Sequence, residues 1–472
     1  LDPCTFVELG LLATHHSSRP QMQGRYTAAD GIITGFGKID GRLVCVCAED
    51  FTVLGGSWGH TGGLKANHVL HLAAQEKAPM IWLLDGAGAR AEEMVYEGVP
   101  SGATFVLLGQ LSGVVPQVGA VMGPAAGQSS LVASVQDFII MVKGTSMMAA
   151  GGPPVVEAAI GEKVSKEDLG GSYIHCHLTG VADNEAESED HGLAMVKEYL
   201  SYLPSNAWQP PPYVHTDDDP ERRDPELLDI VPDNRRRPYD MKDIIRHIVD
   251  NGHFFEIKPD WGRSLITCFA RMDGYPVGII ANQPLVLSGA IDAAAADKET
   301  HFIELCDCFH IPLVFLSDCP GVMTGSVAER EGTLRRGLRV GYALAQCTVP
   351  KIAVVIRKSY GFGGCAMCGA DMNQTMLLSW PTAEFGSIPV EGGVGAAYKS
   401  QLAAAEDPEE VRRQLERTFA EFGGPYPAAR AFNVEDVIDP RDTRPMIIKG
   451  LEFARMRYTG PLSPRLKRGI MP

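Results

Sequence analysis

The sequence predicts an α/β protein assembled from two copies of one unit. Three observations carry that prediction. The β-branched run Ile352 to Ile356 is too short for a buried helix and reads as a core strand, ending in Gly361, Gly363 and Gly364 (TVPKIAVVIRKSYGFGG, 348–364). The stretch VVPQVGAVMGPAAGQSS (114–130) repeats the design, with Pro116 and Pro350 each standing eleven residues before Gly127 and Gly361. The pairs Gly41/Gly274, Gly56/Gly289, Lys65/Lys298, Pro79/Pro312 and Asp85/Asp318 are all separated by 233 positions. Pro116/Pro350 and Gly127/Gly361 are separated by 234, so one residue was gained between the two sets. Five landmarks at one offset indicate a duplication, and the chemistry is expected where the two copies face each other.

The elements follow in order. Leu1 to Gly35 is interrupted by glycine and polar residues and makes a poor core on its own. Arg42 to Cys47 and Asp50 to Leu54 alternate as a strand pair, closed by a tight turn at Gly55-Gly56. Lys65 to Gln75 has helical spacing with Val69, Leu70, Leu72 and Ala73 on its apolar face, and Met80 to Leu84 is a buried strand ending at Asp85. A helix is expected within Met94 to Leu111, and a short strand at Phe138 to Val142. The second copy repeats the order: strand Val277 to Ala281, helix Lys298 to Phe309, strand Leu313 to Leu316 and a loop opening at Asp318. Strands and helices alternating at this length imply parallel crossovers. Asn206 to Pro238, with PPP, DDDP and RRR, reads as an extended connection, so the domains are expected at 1–205 and 239–472 with a linker at 206–238. Asp407-Pro-Glu-Glu caps a late helix whose buried stripe is expected to be Val411, Leu415, Thr418 and Phe422.

Composition bounds the function. The chain has 472 residues, 45% hydrophobic and 21% charged, ordinary for a soluble globular protein. A net charge of −16 and a pI near 5.3 argue against nucleic acid as a bulk electrostatic partner. No apolar run reaches the ~18 residues of a membrane span. Eleven scattered cysteines suit buried thiols in a reducing compartment, and the lone Cys365-Ala-Met-Cys368 pair is a poor zinc site without a second pair. A cytoplasmic location is expected, or the mitochondrial matrix in a eukaryote. The start at Leu1 suggests that an N-terminal piece is missing.

No Ser/His/Asp or Cys/His set stands out by spacing. Lys65, Arg90 and Lys298 are candidate anion ligands, with salt-bridged or solvated roles as the alternative. The prominent features are the two strand–glycine–helix junctions. Free N–H groups at a helix start can hold a developing oxyanion without any titrating side chain. Glycines that merely allow tight packing are the plainer reading of one junction; two at equivalent positions favour a site with two oxyanion holes.

The motifs VCAEDFTVLGGSWG (46–59), VVPQVGAVMGPAAG (114–127), FIIMVKGTSMM (138–148), PYDMKDIIRHIVDNGHFFE (238–256), PVGIIANQPLVLSGAID (276–292), VPKIAVVIRKSYGFGG (349–364) and WPTAEFGSIPVEGGVG (380–395) run through nearly the whole chain. In that order the sequence resembles the carboxyltransferase subunit of biotin-dependent acyl-CoA carboxylases, the group of the propionyl-CoA and methylcrotonyl-CoA carboxylase β subunits. The resemblance implies two tandem crotonase-like domains of spiralling strand–helix turns, in a hexamer or other oligomer built from dimers. It implies carboxybiotin delivered on a separate carrier by a biotin carboxylase and carrier subunit, an acyl-CoA substrate, and no metal. Nothing in the chain resembles the Ala-Met-Lys-Met site where biotin is attached.

By the same resemblance the oxyanion residues are Gly127 and Gln128 in the first copy and Phe362 and Gly363 in the second. Gly55, Gly56, Lys65, Gly88, Ala89 and Arg90, with Gly361, Gly364 and Cys365, are the expected ligand-binding positions. The family usually has glycine at Gln128, Gly-Gly-Ala at Gly361-Phe362-Gly363, and Asp-Ser-Gly-Gly-Ala-Arg at Asp85-Gly-Ala-Gly-Ala-Arg90. A biotin-dependent decarboxylase or transcarboxylase subunit, and a non-catalytic scaffold, are the alternative readings.

Overall fold

Both copies fold as the same mixed sheet, in which an antiparallel hairpin leads into parallel strands. The computed structural model describes residues 1–94, 102–235, 237–457, 460–465 and 469–471. It separates into one unit of Leu1–Pro212 with Pro461–Pro472 and a second of Tyr213–Gly460.

In the first unit the strands are β1 (Val7–Leu9), β2 (Ile32–Ile39), β3 (Arg42–Glu49), β4 (Met80–Gly86), β5 (Gln117–Ala126), β6 (Phe138–Val142), β7 (Met147–Ala149) and β8 (Asn184–Ala186). They form an eight-stranded sheet in the order β1-β2-β3-β4-β5-β6-β8, with β7 on β5. Asp40 and Gly41 join β2 to β3 with φ of 48° and 79°, the left-handed pair of a type I′ turn whose twist suits a hairpin. The partner of Arg42–Glu49 is therefore Ile32–Ile39, not the expected Asp50 to Leu54. That segment is a turn, where the Asp50 carboxylate accepts the Thr52 N–H (3.0 Å). Helix α1 (His60–Glu76) buries Ala66, Val69, Leu70 and Ala73 against the core and ends at Lys77 in the left-handed conformation. Of the helix expected within Met94 to Leu111, residues 95–101 lie outside the described residues, and α2 spans Ala103–Leu111. Helix α3 (Gln128–Ala133) follows β5 directly.

The second unit repeats this plan with β9 (Phe254–Ile257), β10 (Leu265–Met272), β11 (Tyr275–Asn282), β12 (Leu313–Cys319), β13 (Lys351–Tyr360), β14 (Met376–Ser379), β15 (Glu384–Gly386) and β16 (Asp436–Val437). Their order is β16-β14-β13-β12-β11-β10-β9, with β15 on β13. Asp273-Gly274 makes the same turn (φ 52° and 77°). Its helices include α4 (Ala293–Cys308), α5 (Thr333–Gln346), α6 (Gly361–Ala366) and α7 (Pro408–Phe422). Residues Tyr213–Gly460 belong to this unit: the Val214 N–H donates to Gly274 O (3.0 Å), and Leu227 and Val231 lie in its core. The Asp407 carboxylate caps α7 by accepting the Glu410 N–H (3.1 Å). Its stripe is not buried as expected, because Val411 and Leu415 are half-buried while Thr418 and Phe422 are exposed.

One shared irregularity places the site. β5 pairs with β6 over Val118–Val121 and then with β7 over Pro124–Ala126. β13 pairs with β14 over Ile352–Val355 and then with β15 over Lys358–Tyr360. The strand before each has a register shift at the matching place, Leu84/Gly86 and Ser317/Cys319, after which Gly86 pairs with Ala125 and Cys319 with Ser359. The forked strand then runs straight into α3 or α6. Each unit is thus a crotonase-like spiral, and each fork ends at one of the glycine junctions.

Candidate active site

Gly127 adopts φ 55° and ψ −119°, a conformation open to glycine. Its N–H donates to Ala149 O on β7 (3.0 Å), so this amide is already engaged. The next amide, Gln128, opens α3 and has no backbone acceptor within the helix. Beside it lies the loop after β4. Gly88 O accepts from the Trp58 N–H (2.7 Å) and Trp58 O accepts from the Arg90 N–H (2.9 Å). Extended backbone alternates its groups, so the Ala89 N–H between them points away from Trp58, to the side of β5 and Gln128. A Cβ on Gly88 would lie 3.1 Å from Gln128 N and 2.3 Å from Ala126 O, so the two segments are in contact. Two N–H groups without protein partners among the described residues, those of Ala89 and Gln128, are therefore adjacent.

The second unit repeats the arrangement. The Ile291 N–H donates to Gly321 O (3.1 Å) and the Met323 N–H to Ile291 O (2.8 Å), which leaves the Val322 N–H on the far side. Phe362 is the counterpart of Gln128 and follows Gly361 (φ 54°). A Cβ on Gly363 would lie 2.7 Å from Gly321 Cα and from Cys319 Sγ, so this glycine lets α6 touch the loop after β12. Gly364 has the same role against Ser359, where a Cβ would lie 2.5 Å from Oγ. Val322 was missed by the sequence reading, although the 233-residue offset from Ala89 points to it.

Lys65 and Arg90 are structural, which corrects their expected role as anion ligands. Lys65 Nζ is buried and donates to Ala29 O (2.9 Å) and Ile32 O (2.5 Å). Lys298 does the same with Lys258 O (2.7 Å), Trp261 O (3.1 Å) and Leu265 O (2.8 Å). Burial pulls the Lys298 pKa down to about 7, yet three carbonyl acceptors use all three protons of the ammonium form. Arg90 is fully buried between Asp30 (2.6 Å) and Glu93 (2.8 Å), and it also donates to Ser57 Oγ, Ser57 O and Asp30 O. Arg90 has no donor left for a ligand, and buried Lys65 gives two of its three to these carbonyls. Gly55 and Gly56 shape the turn beneath the same loop: Gly55 O accepts the Ala87 N–H (2.9 Å), and a Cβ on Gly56 would meet Asp85 O at 2.4 Å.

The carboxyl transferase domain family matches residues 1–469. The chain belongs to that family. The methylmalonyl-CoA decarboxylase α subunit of Veillonella parvula is 42% identical over 95% of this chain and 87% of its own. The propionyl-CoA carboxylase carboxyltransferase subunit of Haloferax mediterranei is 39% identical over 100% of this chain and 91% of its own. The crystal structure of the transcarboxylase 12S hexamer, with methylmalonyl-CoA and methylmalonic acid bound, superposes with a TM-score of 0.92 at 38% identity. It covers 100% of this chain and 90% of that one.

In this carboxyltransferase the two junctions share a backbone but differ in charge. Asp318 is paired with Arg357 (3.0 Å) and approached by Lys358 (3.6 Å). In the first unit the corresponding residues are Gly123 and Pro124, Asp85 has no such partner among the described residues, and burial raises its pKa. A cavity of about 540 Å³ lies beside the second junction, walled by Pro238, Leu285, Leu287 and Pro320 with Arg235 and Lys358 among its polar groups. Glu384 at its edge pairs with Arg235 and accepts the Tyr360 hydroxyl (2.8 Å). Cys365 is half-buried and Cys368 buried, its thiol pushed up to about 12, and no group among the described residues could hold a metal ion.

Proposed function

We propose that this carboxyltransferase moves a carboxyl group between biotin on a separate carrier and the α-carbon, or its vinylogous equivalent, of an acyl-CoA. Each unit supplies one oxyanion hole. The observation that carries this reading is the duplicated pair of unpartnered amides, Ala89 with Gln128 and Val322 with Phe362, each at a fork in the sheet. Such donors stabilise negative charge where it develops, and cost no reorganisation as it does. Carboxybiotin enters as a substrate, supplying the carboxyl group and, once that has left, the base for the α-proton. The amides of one hole polarise its ureido oxygen; those of the other hold the enolate oxygen of the thioester until it attacks CO2. The second-unit cavity suits a bicyclic ureido ring, since its lining mixes prolines and leucines with the donors Arg235 and Lys358.

The test is transfer of labelled carboxyl from a carboxylated biotin carrier to a panel of acyl-CoAs, without ATP. Transfer to at least one acyl-CoA is expected, and none to any would refute the reading. The chain itself should give no band on a streptavidin blot. We also propose a hexamer built from dimers. Leu334, Leu338 and Tyr342 are spaced along α5 and lie 68%, 42% and 65% exposed, an apolar stripe that assembly would cover. A monomer by light scattering with full activity would contradict this. The reverse direction is the second reading, favoured by the decarboxylase relative at 42% identity. It predicts ATP-free carboxylation of biotin by a malonyl-type thioester.

Phe362 keeps the backbone donor and adds bulk beside it. Its ring lies over α5, where a Cβ on Gly341 would come within 3.1 Å of Cζ. Phe362→Gly is expected to reorder preference among short, branched and long acyl-CoAs. Turnover with the best acceptor should stay within about tenfold. An unchanged ranking would assign the ring to packing alone.

A further inference from the structure

Beneath the first junction, one buried carboxylate touches every segment that builds the hole. Glu49 closes β3. Its Oε1 accepts the Trp58 indole N–H (2.5 Å) and the Ser129 hydroxyl (2.5 Å), and its Oε2 accepts the Asp85 N–H (2.8 Å). Trp58 forms the bridge that turns out the Ala89 amide, Asp85 opens the loop leading to it, and Ser129 follows Gln128 on α3. In the second unit this position is Asn282, whose Oδ1 accepts the Asp318 N–H (3.0 Å) and whose Nδ2 donates to Gly289 O (2.9 Å). Both copies hold the start of the loop from the end of the same strand, but one uses a neutral amide and the other an acid.

We infer that Glu49 is a positioning residue for the first hole: its ionised carboxylate, accepting three hydrogen bonds at once, fixes the Ala89 and Gln128 amides relative to each other and gives the first half-site, but not the second, a dependence on pH. The inference rests on the two-hole reading above. A carboxylate offers acceptors only; once protonated it must also donate. The Ser129 hydroxyl would then have to turn and accept, and the three converging donors could no longer all be met. Burial drives the Glu49 pKa up to about 7, against the pull of Ser129, Trp58 and the Asp85 amide. The Asp85 carboxyl adds to the rise from β4. Cys47, on the same strand, is buried and held neutral, its pKa well above the usual thiol value. Helix α3 (QSSLVA) has no titratable side chain.

The sign differs between stability and activity. A carboxyl whose folded pKa is raised contributes stability that is full below about 4.5 and is lost as pH rises to about 7. The geometry of the hole, by contrast, is complete only above that range. A residue serving packing alone would not show this opposition.

The experiment is the pH profile of kcat/KM for carboxyl transfer in wild type, Glu49→Gln, Ser129→Ala and Gln128→Pro, with thermal unfolding at about pH 8. Wild type should fall about tenfold from roughly pH 8 to roughly pH 6. Glu49→Gln should lack that limb and sit about tenfold below wild type at the upper pH, one charge-assisted hydrogen bond being lost. Its Tm should not fall, because a buried charge has gone. Ser129→Ala keeps the acid but removes a donor that lowers its pKa, so its limb should move to higher pH. A Glu49→Gln profile that keeps the wild-type limb, or a Ser129→Ala limb that stays in place, would overturn the assignment. Gln128→Pro separates the two readings. If it abolishes transfer while Glu49→Gln behaves as wild type, only the role of Glu49 falls. If it leaves transfer intact, the two-hole reading falls with it.

Discussion

Gln128→Pro and Phe362→Pro should each lower turnover by about 10²–10³-fold while the protein stays folded. Proline removes the amide hydrogen at these positions together with the side chain, whose separate effect Phe362→Gly reports, and the first turn of a helix tolerates it because that N–H has no helical acceptor. The preceding residue is usually the obstacle, since proline forces it into extended backbone. Gly127, at φ 55° and ψ −119°, sits in the mirror image of that extended region, which glycine occupies without strain. Gly361 shares the positive φ. Proline one place away would be uninformative. At Gly127 it would demand a negative φ, and at Gly363 its ring would enter the 2.7 Å contact with Gly321. Turnover of both variants with the best acyl-CoA, beside circular dichroism and thermal unfolding, is the measurement. Folded variants with wild-type turnover would show that these amides hold no developing charge.

Arg90→Met should destabilise the first unit by about 3–5 kcal/mol near neutral pH. The side chains of Arg90, Asp30 and Glu93 are 0%, 0% and 2% exposed, so removal of the guanidinium leaves two buried carboxylates facing each other. They are held there by the start of α1: Asp30 Oδ2 accepts the Gly62 N–H (2.8 Å) and Glu93 Oε2 the His60 N–H (3.2 Å). Denaturant midpoints of the variant and wild type check the magnitude. A loss below about 1 kcal/mol would show that the two carboxylates do not depend on the guanidinium.

The repeat and its junctions were legible because a duplication writes its landmarks twice, and the segments Met80 to Leu84 and Ile352 to Ile356 inside the strands are continuous apolar runs. Strand β2 was not. ITGFGKI has glycine at Gly35 and Gly37, which weakens any strand pattern. The structure supplies the reason: a Cβ on Gly35 would lie 2.2 Å from Val7 O, and one on Gly37 would lie 2.9 Å from Leu1, so β2 is glycine-rich because the first residues cross close over it. Which of the two roles Lys65 and Arg90 take was not legible, because charge in a sequence does not reveal whether carbonyls or carboxylates already surround it. The amides of the proposed holes were partly legible. Gln128 and Phe362 follow glycines in a visible motif and Ala89 was an expected ligand-binding position, but Val322 would act through backbone alone and has no side-chain signature.

The forked strands have a thermodynamic consequence. On the two-hole reading both substrates meet the same backbone device, an N–H from a bridged loop and an N–H from a helix start, built on one topology. Neither oxyanion is then favoured by a stronger set of donors, so the interconversion on the protein should lie near thermoneutrality. Flux would be set by which donor is supplied and which product is withdrawn, with the chain acting as a reversible exchange point. A scaffold of this kind needs little change to serve in carboxylation, decarboxylation or transcarboxylation. The relatives named above, a decarboxylase subunit, a carboxylase subunit and a transcarboxylase, span those directions at similar identity.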